Sequence, residues 1–125
     1  MFSHIFVGSN DLAKSKAFYD ALFAAIGGPA AIEDPVKGRL IYAHKGANFI
    51  VSRPLNGEPA CFANGGTVGF GMDNAEQVNA WHAAGVAHGG TPCEDPPGLR
   101  PAMNLYLAYL RDPDGNKLCA LYKAG

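Results

Sequence analysis

Few side chains in this 125-residue chain could do more than hold a core: four histidines, three cysteines and some arginines near loop ends. His4 stands out, in the opening run HIFVG. Imidazole titrates near neutral pH, so a histidine there can hydrogen-bond a ligand or move a proton as general acid or base. Cys119 and His4 make the best nucleophile-base pair available. The neighbours Leu118, Ala120 and Leu121 are apolar, however, and a buried cysteine behaves as a small hydrophobe. Lys117 is the one adjacent cation that could lower the thiol's pKa. His44, His82 and His88 stand singly and read as structural or solvated, His82 at a helix edge beside Trp81. Cys61, Cys93 and Cys119 contain no CxxC pair and leave one thiol over under any disulfide scheme. Reduced cysteines in a cytoplasm account for that.

Composition narrows the function classes. Hydrophobic residues make up 48% and charged residues 17%, which suits one domain, 1–125, and excludes disorder. Ten Lys plus Arg against eleven Asp plus Glu give a net charge of −1. No basic field exists to attract a phosphate backbone, so nucleic acid is not an expected partner. No apolar run reaches the roughly 20 residues of a membrane helix, and Met1-Phe2-Ser3-His4 does not read as a signal peptide.

These residues need elements to position them. HIFVG is a short β-type run, followed by cap residues Ser9-Asn10-Asp11. Leu12, Ser15, Tyr19, Leu22 and Ile26 then recur at helical spacing, predicting a helix over 10–26 that Gly27-Gly28 closes. Strands are expected at 30–33, 39–44 and 48–53, and 54–66 reads as a linker. TVGFGM, 67–72, is a strand with two glycines on Thr67's face, a mark of close approach by a ligand or another backbone. Asp73-Asn74 caps a helix over 75–84 with Ala75, Val78, Trp81 and Gly85 on one face. A strand is expected near 86–91 and a loop over 92–101. A hairpin of 105–111 and 117–122 follows around Asp112-Pro113-Asp114-Gly115.

The order β-α-β-β-β thus occurs twice. An offset of 63 places His4 on Thr67, Phe6 on Gly69, Gly8 on Gly71 and Phe18 on Trp81. An offset of 69 places Gly46 on Gly115 and Ile50 on Cys119. Joining two such units lets each cover the other's apolar face.

The opening HIFVGSNDLAKSKAFYDALF, the second β-α-β-β-β unit and the terminal RDPDGNKLCALY resemble the vicinal oxygen chelate superfamily over nearly the whole chain. That group includes glyoxalase I, bleomycin-resistance proteins and extradiol dioxygenases. The resemblance implies an α+β fold of two βαβββ units, about 1–57 and 65–125. Their mixed sheet curls around a cleft and the helices pack outside. It also implies a homodimer.

Metal-dependent members carry four ligands in the cleft, usually His and Glu. Carried over, these positions fall on His4, Ile50, Thr67 and Cys119, which leaves one good ligand and one thiol. The metal pattern is thus missing at three of four places, and no cofactor is expected. The residues expected to touch a ligand are His4, Phe6, Ile50, Thr67, Gly69, Tyr106 and Cys119, with Arg53 or Arg100 available to a carboxylate or phosphate at the mouth. A small-molecule binder without metal is the leading expectation. One alternative is a lyase or dioxygenase using Zn, Ni, Mn or Fe(II) with substitute ligands such as Cys119 and His4, or ligands supplied across a dimer. The other is a metal-free enzyme using His4 as acid or base. A cleft built to sequester a cationic antibiotic would favour acidic lining, and the chain has no acidic block.

Overall fold

Period-two and period-3.6 patterns resolve into two copies of one unit. In the computed structural model, which describes residues 1–125, β1 (His4–Gly8) leads into α1 (Leu12–Ala24), β2 (Ile32–Asp34), β3 (Arg39–His44) and β4 (Ala47–Ser52). Residues 53–67 hold no strand or helix. The second unit is β5 (Val68–Gly71), α2 (Ala75–Ala87), β6 (Thr91–Pro92), β7 (Gly98–Arg100), β8 (Leu105–Arg111) and β9 (Lys117–Lys123).

The first sheet runs β1-β4-β3-β2, and the second runs β5-β9-β8 with β6 and β7 both on β8. In each unit the opening strand pairs in parallel with the last. Phe6 lies opposite Ile50 in one ladder and Gly69 opposite Cys119 in the other, so the repeat read from the sequence holds in register. The two sheets do not join into a closed barrel.

Side chains sort by local chemistry. Asp11 caps α1 by accepting the Lys14 N–H at 3.1 Å, and Asn74 caps α2 by accepting the Gln77 N–H at 2.8 Å. Both helices pack on the same side of the two sheets, and one core joins Phe18, Tyr19 and Leu22 to Val78, Trp81 and Leu110. Phe18 and Trp81, equivalent in the repeat, are both fully buried. Gly85 allows the close approach there, since a Cβ would stand 2.3 Å from Leu110 Cδ1 and 3.2 Å from Leu22 Cδ1.

Two local expectations are corrected. The strand expected near 86–91 is not formed: α2 runs on to Ala87, residues 88–90 make its closing turn, and only Thr91–Pro92 is extended. Its true stop is Gly89 at φ +99, with the Gly90 N–H returning to the Gly85 carbonyl at 2.8 Å. The expected loop over 92–101 contains β7, which pairs Gly98–Arg100 with Leu107–Leu105. β6 and β7 lie along the same edge of β8 as one interrupted strand, broken where Pro96 and Pro97 cannot donate to a ladder.

The DPDGN turn ties the units together. Asp112, 3% exposed, accepts the Tyr19 hydroxyl at 2.6 Å and the Asn116 amide at 2.8 Å. Asn116 Nδ2 also donates to the Gly8 carbonyl at 3.1 Å, and Asp114 accepts the Asn10 N–H at 2.9 Å. Burial pushes the Asp112 carboxyl above its ordinary value despite these donors.

Candidate functional site

Alternation on β1 sends Ile5 and Val7 into the core and leaves His4 and Phe6 exposed on the opposite face. On β5 the same alternation buries Phe70 against the core and leaves Gly69 and Gly71 outward. A Cβ at either glycine would touch nothing within 4 Å. β1 and β5 are each the end strand of their sheet, and residues of both line a cavity of about 370 Å³.

Its apolar wall is aromatic. Phe23 from α1, Phe49 from β4 and Phe70 from β5 meet with ring centroids 5.3 to 6.1 Å apart. Tyr42 stacks on Phe23 at 4.7 Å and donates its hydroxyl to Asp20 at 2.8 Å. Burial and that carboxylate hold the phenol well above its ordinary value, so Tyr42 stays neutral. The remaining wall is polar and basic. His4, whose Nδ1 lies 2.8 Å from the Ser3 hydroxyl, shares it with Asn48, His44 and Lys45. His44 meets the edge of Phe23 at 6.1 Å. Lys45 turns the chain from β3 into β4 at φ 49, and its ammonium reaches Asp73 at 2.8 Å. No Asp or Glu lines the cavity.

The residues singled out in the sequence are divided by this geometry. His4 and Gly69 line the large cavity, while Phe6 and Thr67 line a second of about 290 Å³, with Cys61 and Lys117. Ile50 is cross-strand from Phe6 and lines neither cavity. Tyr106 lies on the helix side, where its hydroxyl donates to Asn79 on α2 at 2.9 Å. Cys119 is 6% exposed and donates its thiol to the Ala120 carbonyl at 3.5 Å, and burial pushes that thiol up, away from the reactive thiolate. It shares neither cavity with His4, so the two do not meet there as nucleophile and base. Lys117 beside it pairs with Glu94 and stands 5.0 Å over the Tyr109 ring. Arg100 is spent on its own loop, bonding the carbonyls of Asp95, Pro96 and Gly98. Arg53 lies alongside Gly38.

The donor set does not fit a divalent metal within one chain. Ile50 has no donor atom, and nowhere do three or more His, Cys, Asp or Glu side chains gather to hold an ion. The aromatic wall is what the sequence reading missed. Nothing in the sequence singled out Phe23 or Phe49 as site residues, and His44 read as a lone structural or solvated histidine at the end of a strand. The one signal was Gly69-Phe70-Gly71, where glycines flank an aromatic in a strand.

The family model described as the glyoxalase/bleomycin resistance protein/dioxygenase superfamily matches residues 1–120. A crystal structure of a glyoxalase/bleomycin resistance protein from Albidiferax ferrireducens T118 is 52% identical, with TM-score 0.91 and 97% of each chain covered. A glyoxalase-related enzyme from Fulvimarina pelagi shares the fold at 20% identity and TM-score 0.77, covering 98% of this chain and 87% of that one. A lactoylglutathione lyase from Agrobacterium tumefaciens shares it at 21% identity and TM-score 0.69, with coverages of 98% and 92%. No curated protein matches the chain. With its duplicated unit, its register and these likenesses in agreement, the chain belongs to the glyoxalase/bleomycin resistance protein/dioxygenase superfamily.

Proposed function

We propose that this protein binds a small organic molecule in the cavity between β1 and β5, and does so without a metal ion. The observation that carries the reading is the cavity's lining: an aromatic wall, two bare glycines, and His4, the one residue of the family's four metal positions that lines it. At about 370 Å³ the space lies near the lower end of the roughly 300–1,000 Å³ of small-molecule pockets. The setting that suits it is a cytoplasm that keeps all three cysteines free, with a homodimer as the working form by analogy with the family. A second reading adds catalysis to the same site. The Ser3 hydroxyl at Nδ1 orients the His4 ring, leaving Nε2 for proton exchange with a bound molecule.

Elemental mass spectrometry of tag-free protein, before and after incubation with Zn, Ni, Mn and Fe(II), tests the metal-free reading. Retained metal well below one equivalent is expected. Near-stoichiometric metal that disappears in His4→Ala overturns it and sends the search to lyase and dioxygenase substrates. Ligands found by thermal shift then separate the two remaining readings. Stabilisation without turnover supports a binder, and turnover lost in His4→Ala with binding retained supports the enzyme.

A further inference from the structure

The ionisable side chains lining the cavity, the neutral Tyr42 phenol aside, are all of the basic type in a chain whose overall balance is −1. His4, His44 and Lys45 line it, and not one of the eleven acidic residues does. The acid held at its rim is Asp73, bonded to Lys45, and the two side chains are 51% and 61% exposed. An exposed pair of that kind is weakly held, so a ligand can share or take over the ammonium. Behind these groups lie the rings of Phe23, Phe49 and Phe70, the first two only 3% and 6% exposed and Phe23 stacked on Tyr42, so that they present an aromatic margin to another ring. Gly69 and Gly71 leave the β5 side of the slot flat.

We infer that the occupant is a small aromatic carboxylate, its ring against Phe23, Phe49 and Phe70 and its charge toward His44 and Lys45. The inference rests on the cavity being the binding site and adds the ligand's chemical class. A neutral aromatic would fill the same slot but leave the basic groups without the charge-assisted hydrogen bonds that a carboxylate accepts. An aromatic cation would meet Lys45 with no lining carboxylate to balance it.

Three isosteric probes separate these cases: 2-naphthoate, 2-naphthamide and 2-naphthamidine, each titrated calorimetrically into the full chain. Naphthoate is expected to bind at least about tenfold more tightly than the amide, the scale of one hydrogen bond to a charged group. The double substitution His44→Gln with Lys45→Gln should remove that advantage and leave amide binding as it was. Gly71→Leu should block the slot, and Gly69→Leu repeats the test on the neighbouring outward position. Neither glycine has a positive φ, and circular dichroism and the melting curve report whether each variant folds.

Amide or amidine binding as tight as naphthoate, lost in the leucine variants, overturns the carboxylate while the cavity stands. The same holds if none of the three probes binds but other organic ligands do and are blocked by leucine. A naphthoate preference untouched by the double substitution overturns the role of His44 and Lys45. Naphthoate binding untouched by either folded leucine variant overturns this inference and the cavity reading together.

Discussion

The two units share a ladder register and differ in what covers the face turned away from the helices. In the first unit that face is open: Phe6 is 46% exposed, His4 is exposed, and Arg39 stands 5.1 Å over the Phe6 ring. In the second unit the equivalent of Ile50 is Cys119, and it is buried beneath a neighbourhood of Tyr109, Lys117 and Glu94. Glu94 belongs to the segment that interrupts β6 and β7. Duplication therefore preserved the core side of both units, where Phe18 and Trp81 play the same part, and let the opposite sides diverge. Packing tolerates little change in a filled interior, whereas a solvent-facing sheet side is free to be covered or bared.

The equivalence of the cores is the easiest part to break. Phe18→Ala and Trp81→Ala should each cost about 3–5 kcal/mol in urea unfolding, and a gap of more than about 2 kcal/mol between them would mean that one unit dominates the core. Next in size, Tyr19→Phe should cost about 1–3 kcal/mol, because it removes a donor from the buried Asp112. The raised Asp112 carboxyl also makes a signed prediction. A carboxyl that protonates more readily in the folded state favours folding in acid, and that contribution is lost as pH rises through its folded value. Wild type should therefore lose ground to Asp112→Asn as pH rises above about 4, the ordinary carboxylate value, measured as the difference of their urea midpoints. A constant difference would show that the carboxyl is not shifted.

The covering of the second unit is sharpened by alkylation. Cys61 is exposed and should react with iodoacetamide at least about tenfold faster than Cys119. Glu94→Ala, which releases Lys117, should narrow that gap several-fold; equal rates in wild type would mean that the second face is as open as the first. The smallest effect belongs to the rim of the cavity. Lys45→Gln breaks an exposed ion pair and should shift stability by less than about 0.5 kcal/mol.

Much of this architecture was legible because periodicity and turn chemistry are local. The helical spacing of Leu12 to Ile26, the Gly46 and Gly115 turns and the 63-residue offset all survive in the folded chain. Helix ends were harder. Val86 looks like strand, but two glycines three and four residues later decide where α2 stops. The site was only half legible. His4 and Gly69 were visible as types at repeat-related places, yet nothing local says that Phe23, Phe49 and Phe70, from three different elements, converge beside them. Tyr106 shows the limit of alternation: the period says two faces exist, and only the position of α2 says which one Tyr106 shares with Asn79.

The Asp112–Asn116 turn also imposes an order in time. Its bonds reach Tyr19, Asn10 and Gly8 across 93, 104 and 108 residues. A ribosome adds about 5–20 residues per second, so the first unit is made seconds before the groups that complete it. Through that interval the Tyr19 hydroxyl and the Asn10 N–H lack their acceptors on Asp112 and Asp114. A nascent chain stalled ahead of Asp112 therefore lacks the turn that ties the units together, and native closure belongs to the moments after synthesis. Contacts of such long sequence separation slow the search for the native state, which lengthens the window in which a chaperone can act.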